Sequence, residues 1–450
     1  MKKLITSLSL ACLAAVVCCT GCRPAFDEKA AADPELLRKM VMSGLTEIII
    51  YDIFTPPVAS RIYAYTSIAA YEVMAQGDPA YESLAGQLNG LTPLPAPPAG
   101  VKICYPLAAM QAYLTTCEQM IFSLERLDTL QINLYQHYRK LGIPEDQFKA
   151  SVEYGTQAGK HILAWASQDN YKQTRTFEKY TVKNEPGRWV PTPPTYIDAV
   201  EPHWNKIRPM VLDSAAQFKP DQPPLYDLEK SSAFYQQVLE VYETTRSLSP
   251  EQRTIADFWD CNPFAMQTQG HFMFANKKIT PGGHWMGITA IATRGAGADF
   301  SATAEAFARV SISLFEGFIS CWDEKYRSNL IRPETVINEN IDPNWKPMLQ
   351  TPPFPEYTSG HSVISASAAT ALTNLFGENY AFVDSTEVPY GVASRSFPSF
   401  YAASDEAAVS RMYGGIHYKA AIEVGKSQGR MVGRHVSTKL KTRVQATASN

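Results

Sequence analysis

Three short segments carry side chains of the kinds that hold and transform a small anion. In the first, Lys325-Tyr-Arg-Ser-Asn-Leu-Ile-Arg332-Pro333, two cations stand seven residues apart. Seven residues is almost two helical turns, so the spacing puts Lys325 and Arg332 on one helix face, with Trp322 nearby and Pro333 ending the helix. Two such cations repel unless an anion lies between them or water screens them. In the second, Phe354-Pro-Glu-Tyr-Thr-Ser359-Gly360-His361-Ser362 leads into an Ala- and Ser-rich helical pattern. Ser359 suits an N-cap, and Gly360 permits close backbone approach. The helix N-terminus presents free N–H groups and partial positive charge to an anion, with His361 in the first turn. In the third, Ser410-Arg411-Met-Tyr-Gly-Gly-Ile-His417-Tyr418, the glycines let the chain bend so that Arg411 and His417 converge. Each segment has a plainer reading: a solvated basic helix end, a capped helix with a surface histidine, and a glycine turn with a core histidine. Together, Lys325, Arg332, Ser359, Gly360, His361, Arg411 and His417 would form a pocket for a tetrahedral oxyanion.

Helices must position these groups. The first segment closes a helical pattern that begins near Ala302 and runs through Phe307, Val310, Leu314, Phe318 and Cys321. The second opens one through Val363, Ile364, Ala369, Leu372 and Leu375, stopped by Gly377. Helical spacing also covers residues 34–53, 57–76, 104–124, 127–140, 145–168 and 230–246. Residues 183–225 are proline-rich and hold Trp189 and Trp204, too aromatic for a free linker, so they should wrap over the helices or line a cleft. Strand-type alternation is sparse. The expected fold is all-α, a bundle of antiparallel helices with the pocket at helix ends in the C-terminal half. The expected organisation is a leader over 1–22, an N-terminal helical region with Pro-rich crossovers over 23–245, and a catalytic domain over 246–450.

The leader has a charged start at Lys2 and Lys3, an apolar run from Leu4 to Val17, and the close Cys19-Thr20-Gly21-Cys22. The run is short for a membrane span. Its end resembles a bacterial lipobox, with Cys22 as the lipidated residue and Cys19 in place of the usual Leu. That implies a protein of the bacterial cell envelope, lipid-anchored to a membrane and facing the periplasm or the surface. Cys104, Cys117, Cys261 and Cys321 show no C-x-x-C spacing, so the sequence supports no zinc or redox motif, and a Cys104–Cys117 disulfide stays open beside buried thiols. The 450 residues are 45% apolar, enough for a sizeable core. The formal charge of −3 argues against nucleic acid as a main partner. Self-association stays open.

In this order, the three segments resemble the signature of the type 2 phosphatidic acid phosphatase and vanadium haloperoxidase superfamily: K-x-x-x-x-x-x-R-P, P-S-G-H, then S-R-x-x-x-x-x-H-x-x-x-D. Thr358 replaces the Pro of the second block, and Ala421 replaces the last Asp. In the family that carboxylate orients the histidine, so Glu423, Asp405 or a backbone carbonyl would have to substitute. Gly282-Gly-His-Trp285, Ser320-Cys-Trp-Asp-Glu-Lys325 and Asn344-Trp-Lys-Pro look like the haloperoxidase branch, within a resemblance strongest over 250–435. His284, after two glycines, suggests a shaped loop near the site, with a structural role for the ring.

The resemblance implies the helical bundle of that superfamily and a vanadate cofactor. His417 would be the metal ligand, and Lys325, Arg332, Arg411, Ser359 and Gly360 would hold the oxygens. His361 would act as acid–base, with Lys325 polarising peroxide, and halide would be oxidised by hydrogen peroxide. Trp322 and Phe354 match aromatic positions beside the metal and would form a halide pocket, although core roles suit them equally. The alternative is a phosphatase without cofactor, in which His417 attacks a phosphate ester, forms a phosphohistidine, and His361 protonates the leaving alcohol. A second alternative is a non-catalytic lipoprotein that binds an anion or a partner. The aromatic pair and flanking segments favour the haloperoxidase reading.

Overall fold

The structure is a computed structural model that describes residues 25–263, 265–269, 272–275 and 277–444. The leader with Cys22, and His271, lie outside the described residues. The architecture is all-α, as expected. Helices α1 (Pro56–Gly77), α2 (Tyr105–Glu118) and α3 (Glu145–Ala166) pack in succession. They are followed by α4 (Pro281–Gly295), α5 (Phe300–Ser328), α6 (Pro333–Asn340), α7 (Gly360–Phe376), α8 (Phe400–Tyr413) and α9 (Lys419–Lys439). Among the described residues, no helix is long and apolar enough to cross a membrane.

Helix α5 is the axis of the molecule. Asp299 caps it by accepting from Ala302 N at 2.8 Å, and its length is about 43 Å. It packs against α1, α4, α7 and α9, so the main apolar cluster draws on residues from Ala31 to Leu440. Helix α9 rides close on α7, since a Cβ on Gly429 would lie 2.1 Å from the Val363 carbonyl oxygen. That contact holds the start of α7 against the middle of α9, and at the start of α9 Ser359 N donates to Ala421 O at 3.0 Å.

One expectation fails at the end of α5. Lys325 and Arg332 do not share a helix. Asn329 adopts φ 50° and ends α5, with its N–H on Lys325 O at 2.9 Å. Arg332 is instead the N-cap residue of α6, and Pro333 opens that helix, where its missing N–H is not needed. The turn still returns Arg332 to the neighbourhood of Lys325.

The proline-rich stretch wraps over the bundle as predicted. Trp189 and Trp204 are fully buried. Glu316 of α5 accepts from Val211 N at 2.9 Å and from Met210 N, and Trp322 Nε1 and Tyr326 Oη donate to Val200 O at 3.1 and 2.6 Å. Two antiparallel hairpins, β1 (Met266–Gln269) with β2 (Phe272–Ala275) and β3 (Phe382–Asp384) with β4 (Arg395–Phe397), escaped the sequence reading. Strands of three or four residues are too short for alternation to show. Cys104, Cys117, Cys261 and Cys321 are buried free thiols. Gly282 and Gly283 do not form a loop: they lie in the first turn of α4, where Thr280 Oγ1 accepts from Gly283 N at 3.1 Å.

Candidate active site

The three sequence segments meet. Lys325 arrives from the last turns of α5, Arg332 from the cap of α6, Ser359, Gly360 and His361 from the start of α7, Arg411 from the end of α8, and His417 from the turn before α9. Lys325 and Arg332 are 0% exposed and Arg411 1%, a degree of burial rare for cations. Lys325 Nζ donates to Pro355 O and Glu356 O at 2.9 and 3.1 Å, which leaves one of its three protons free. Arg332 donates to Phe354 O at 2.9 Å and Ile416 O at 2.8 Å. Arg411 Nη1 donates to Trp259 O at 2.9 Å.

His417 is held at both ring nitrogens. Nδ1 lies 2.8 Å from Glu356 Oε1, and Nε2 lies 3.2 Å from Arg332 Nη1. Burial, then Arg332, Lys325 and Arg411, push its pKa well below the ordinary histidine value, so the ring is neutral. Arg332 can only donate, which assigns the lone pair to Nε2 and the proton to Nδ1, on the Glu356 side. That is the tautomer in which Nε2 serves as a metal ligand or nucleophile.

Glu356 thus does what the family's Asp does from the position of Ala421. It also accepts from Tyr418 N at 2.9 Å. Neither Glu423 nor Asp405 takes that role: Glu423 pairs with Lys426, and Asp405 with Arg430 and Lys426. Glu356 lies inside the segment that leads to Ser-Gly-His, where spacing alone assigns it no function. The usable signal was an acid placed among residues that are otherwise apolar or small.

Ser359 caps α7 as predicted, its Oγ accepting from Ser362 N at 3.4 Å. A Cβ on Gly360 would meet nothing nearer than the Trp322 ring at 3.7 Å and Lys325 Cε at 4.0 Å, so the glycine keeps space open. His361 hydrogen-bonds the Trp259 carbonyl, and burial, then Arg411 and His284, lower its pKa well below the usual value. Trp259, which sequence reading also missed, therefore aligns both His361 and Arg411.

A small cavity opens beside these groups, lined by Trp322, Phe354, Gly360, His361, Arg411 and His417 among others. Trp322 and Phe354 pack with ring centroids 4.9 Å apart, and Lys325 Nζ and Arg332 Cζ lie 5.0 and 5.1 Å from the Phe354 centroid. Both aromatics are cavity walls.

The electrostatics demand an anion. Burial lowers Lys325 to about 7 and Arg332 to about 10, and lowers Arg411 from its usual value. Burial also raises Glu356 to about 7, so the carboxylate in their midst is half neutral at neutral pH. Among the described residues, Arg332 Nη2, Arg411 Nε and His361 Nε2 are buried without a hydrogen-bond partner. Two unsatisfied guanidinium nitrogens, a spare ammonium proton, a helix N-terminus and an imidazole Nε2 able to accept from a protonated oxygen fit one tetraoxo anion, vanadate or phosphate.

Solved structures decide which branch this is. The fold superposes on the crystal structure of a bacterial vanadium-dependent iodoperoxidase with a TM-score of 0.88 and 54% sequence identity, over 92% of this chain and 99% of that one. The chain belongs to the vanadium-dependent haloperoxidase family. Haloperoxidase function follows, and the phosphatase and non-catalytic alternatives are not favoured. Holo and apo forms of a bacterial vanadium-dependent chloroperoxidase share the fold at TM-score 0.66 and 16% identity, the holo form over 93% of this chain and 96% of that one, the apo form over 86% and 94%. Residues 305–446 of this haloperoxidase match the VCPO second helical-bundle domain. No curated protein matches the chain by sequence.

The proton positions give a pH dependence for anion binding. Below about 7 Lys325 is charged and Glu356 neutral, which favours an anion; above about 7 both changes oppose it. Affinity for sulfate, which does not titrate here, should fall about tenfold per pH unit above 7 for each group that responds. Calorimetric titration from pH 6 to 9 measures this, and Glu356→Gln should flatten the slope. A constant affinity across that range contradicts the assignment.

Proposed function

We propose that this haloperoxidase oxidises iodide with hydrogen peroxide, using a vanadate held by Lys325, Arg332, Ser359, Gly360, Arg411 and His417. The observation that carries the cofactor is the set of unpartnered buried nitrogens beside the neutral His417 ring. The choice of iodide rests on the 54% identity to the iodoperoxidase across 99% of its length.

When bound, vanadate supplies a Lewis-acidic centre that activates peroxide towards halide. His417 offers its Nε2 lone pair, with Glu356 holding the ring from Nδ1. Arg332 and Arg411 neutralise oxygens that the low-dielectric site leaves unscreened. Ser359 and the Gly360 N–H add donors at the helix N-terminus. His361, neutral and fixed on the Trp259 carbonyl, takes and returns a proton at Nε2. Lys325, with two N–H groups on the Pro355 and Glu356 carbonyls, would offer its remaining proton to an oxygen of the bound group. Trp322 and Phe354 bound the space that the halide enters.

The test is triiodide formation by purified protein given peroxide, with and without vanadate. Turnover should require vanadate, be faster with iodide than with bromide, and drop to background in His417→Ala. Absence of vanadate-dependent triiodide formation contradicts the proposal, and bromide oxidised as fast as iodide contradicts the halide assignment.

We further propose that the enzyme is exported and lipid-anchored in the bacterial cell envelope through Cys22, facing the periplasm or the surface. The support is Lys2 and Lys3, the apolar run Leu4 to Val17, and the small residues before Cys22. Full-length protein should fractionate with membranes, and Cys22→Ser should release it. Wild-type protein found in the soluble fraction contradicts the anchor.

A further inference from the structure

In one wall of the cavity, which Cys261 helps to line, three unlike donor atoms come together outside the set of groups assigned to the oxyanion. Cys261 Sγ lies 3.4 Å from His284 Nδ1 and 3.7 Å from Glu387 Oε1. His284 Nδ1 lies 3.1 Å from that same carboxylate oxygen. All three residues are buried. The other ring nitrogen, Nε2, lies 2.7 Å from Asp384 Oδ2, and Asp384 Oδ1 accepts from Thr386 N at 3.0 Å.

We propose that Cys261, His284 and Glu387 bind a zinc ion, with Asp384 orienting the histidine. Tetrahedral zinc, about 2.3 Å from sulfur and about 2.0–2.1 Å from nitrogen and oxygen, places its donor atoms about 3.3–3.6 Å apart. The observed triangle, with sides of 3.1, 3.4 and 3.7 Å, has that size. In a zinc-loaded site Asp384 would keep the ring proton on Nε2 and leave Nδ1 to the ion, the usual outer arrangement of a zinc-bound histidine. A thiolate and an imidazole exclude calcium and magnesium, which take oxygen ligands. Three protein ligands leave the fourth position to water.

The ligands come from three places: the loop after the helix Pro250–Phe258, the first turn of α4, and the turn after β3. No short spacing announces them, since Cys261 lies 23 residues from His284 and 126 from Glu387. An ion there ties these elements behind Trp259, whose ring stacks on His284 at 4.6 Å and whose carbonyl receives Arg411. The zinc site is therefore a clamp in one wall of the oxyanion pocket, to whose lining Cys261 itself contributes.

The test loads the purified protein with zinc sulfate, removes loose metal by desalting and counts the rest by mass spectrometry. The expected result is one zinc per chain, lost by more than tenfold in affinity in Cys261→Ala and kept in His417→Ala. X-ray absorption on the wild-type protein, which needs no variant to fold, should show one sulfur at about 2.3 Å and lighter ligands near about 2.0 Å. No zinc retained at micromolar free zinc, a shell without sulfur, or binding undiminished in Cys261→Ala overturns the proposal.

Discussion

Burying Lys325, Arg332 and Arg411 around one small volume costs free energy that an opposing charge must offset. Desolvation is worth several kcal/mol for each ion, even after the protein relaxes. Backbone carbonyls satisfy many of their protons, as Pro355, Glu356, Phe354, Ile416 and Trp259 do here, but carbonyls carry no net charge. The nearest carboxylate, Glu356, is itself pushed towards neutrality. The rest of the fold can be understood as the scaffold that holds this imbalance. Helix α5 brings Lys325 in, the close contact of α7 with α9 fixes the anion-facing N-terminus, and the proline-rich wrap shuts water away from Trp322.

Replacement of the family's Asp by Ala421 moves the orienting carboxylate without removing its effect. Glu356 reaches His417 Nδ1 from the strand of chain that also supplies Lys325 with two carbonyl acceptors. One short segment, Phe354 to His361, therefore sets the cation, the histidine tautomer, an aromatic wall of the cavity and the helix N-terminus together. With Glu356 in that role, Ala421 contributes its carbonyl to Ser359 N and its buried methyl to an apolar cluster with Tyr357, Tyr418 and Ile422.

Much of this was legible beforehand for physical reasons. Long amphipathic periods identified the helices, Ser359 followed by Gly360 marked a cap, and the aromatic proline-rich stretch could not be a free linker. The convergence of Lys325, Arg332, His361, Arg411 and His417 followed from resemblance more than from spacing. What spacing concealed was geometry that looks alike in one dimension. Seven residues bring Lys325 and Arg332 together along a helix, and equally across the Asn329 turn that the structure uses. Glu356 lies 61 residues from His417, so nothing local links them. The Cys261, His284 and Glu387 triangle was hidden for the same reason, and the hairpins were too short to show a period.

A crystal structure of the protein grown with vanadate tests the central claim most directly. One vanadium should sit on His417 Nε2, with Arg332, Arg411, Lys325, Ser359 and the Gly360 N–H on its oxygens and Glu356 still on Nδ1. An empty cradle at saturating vanadate, or an anion bound away from His417, would show that these buried cations serve something else.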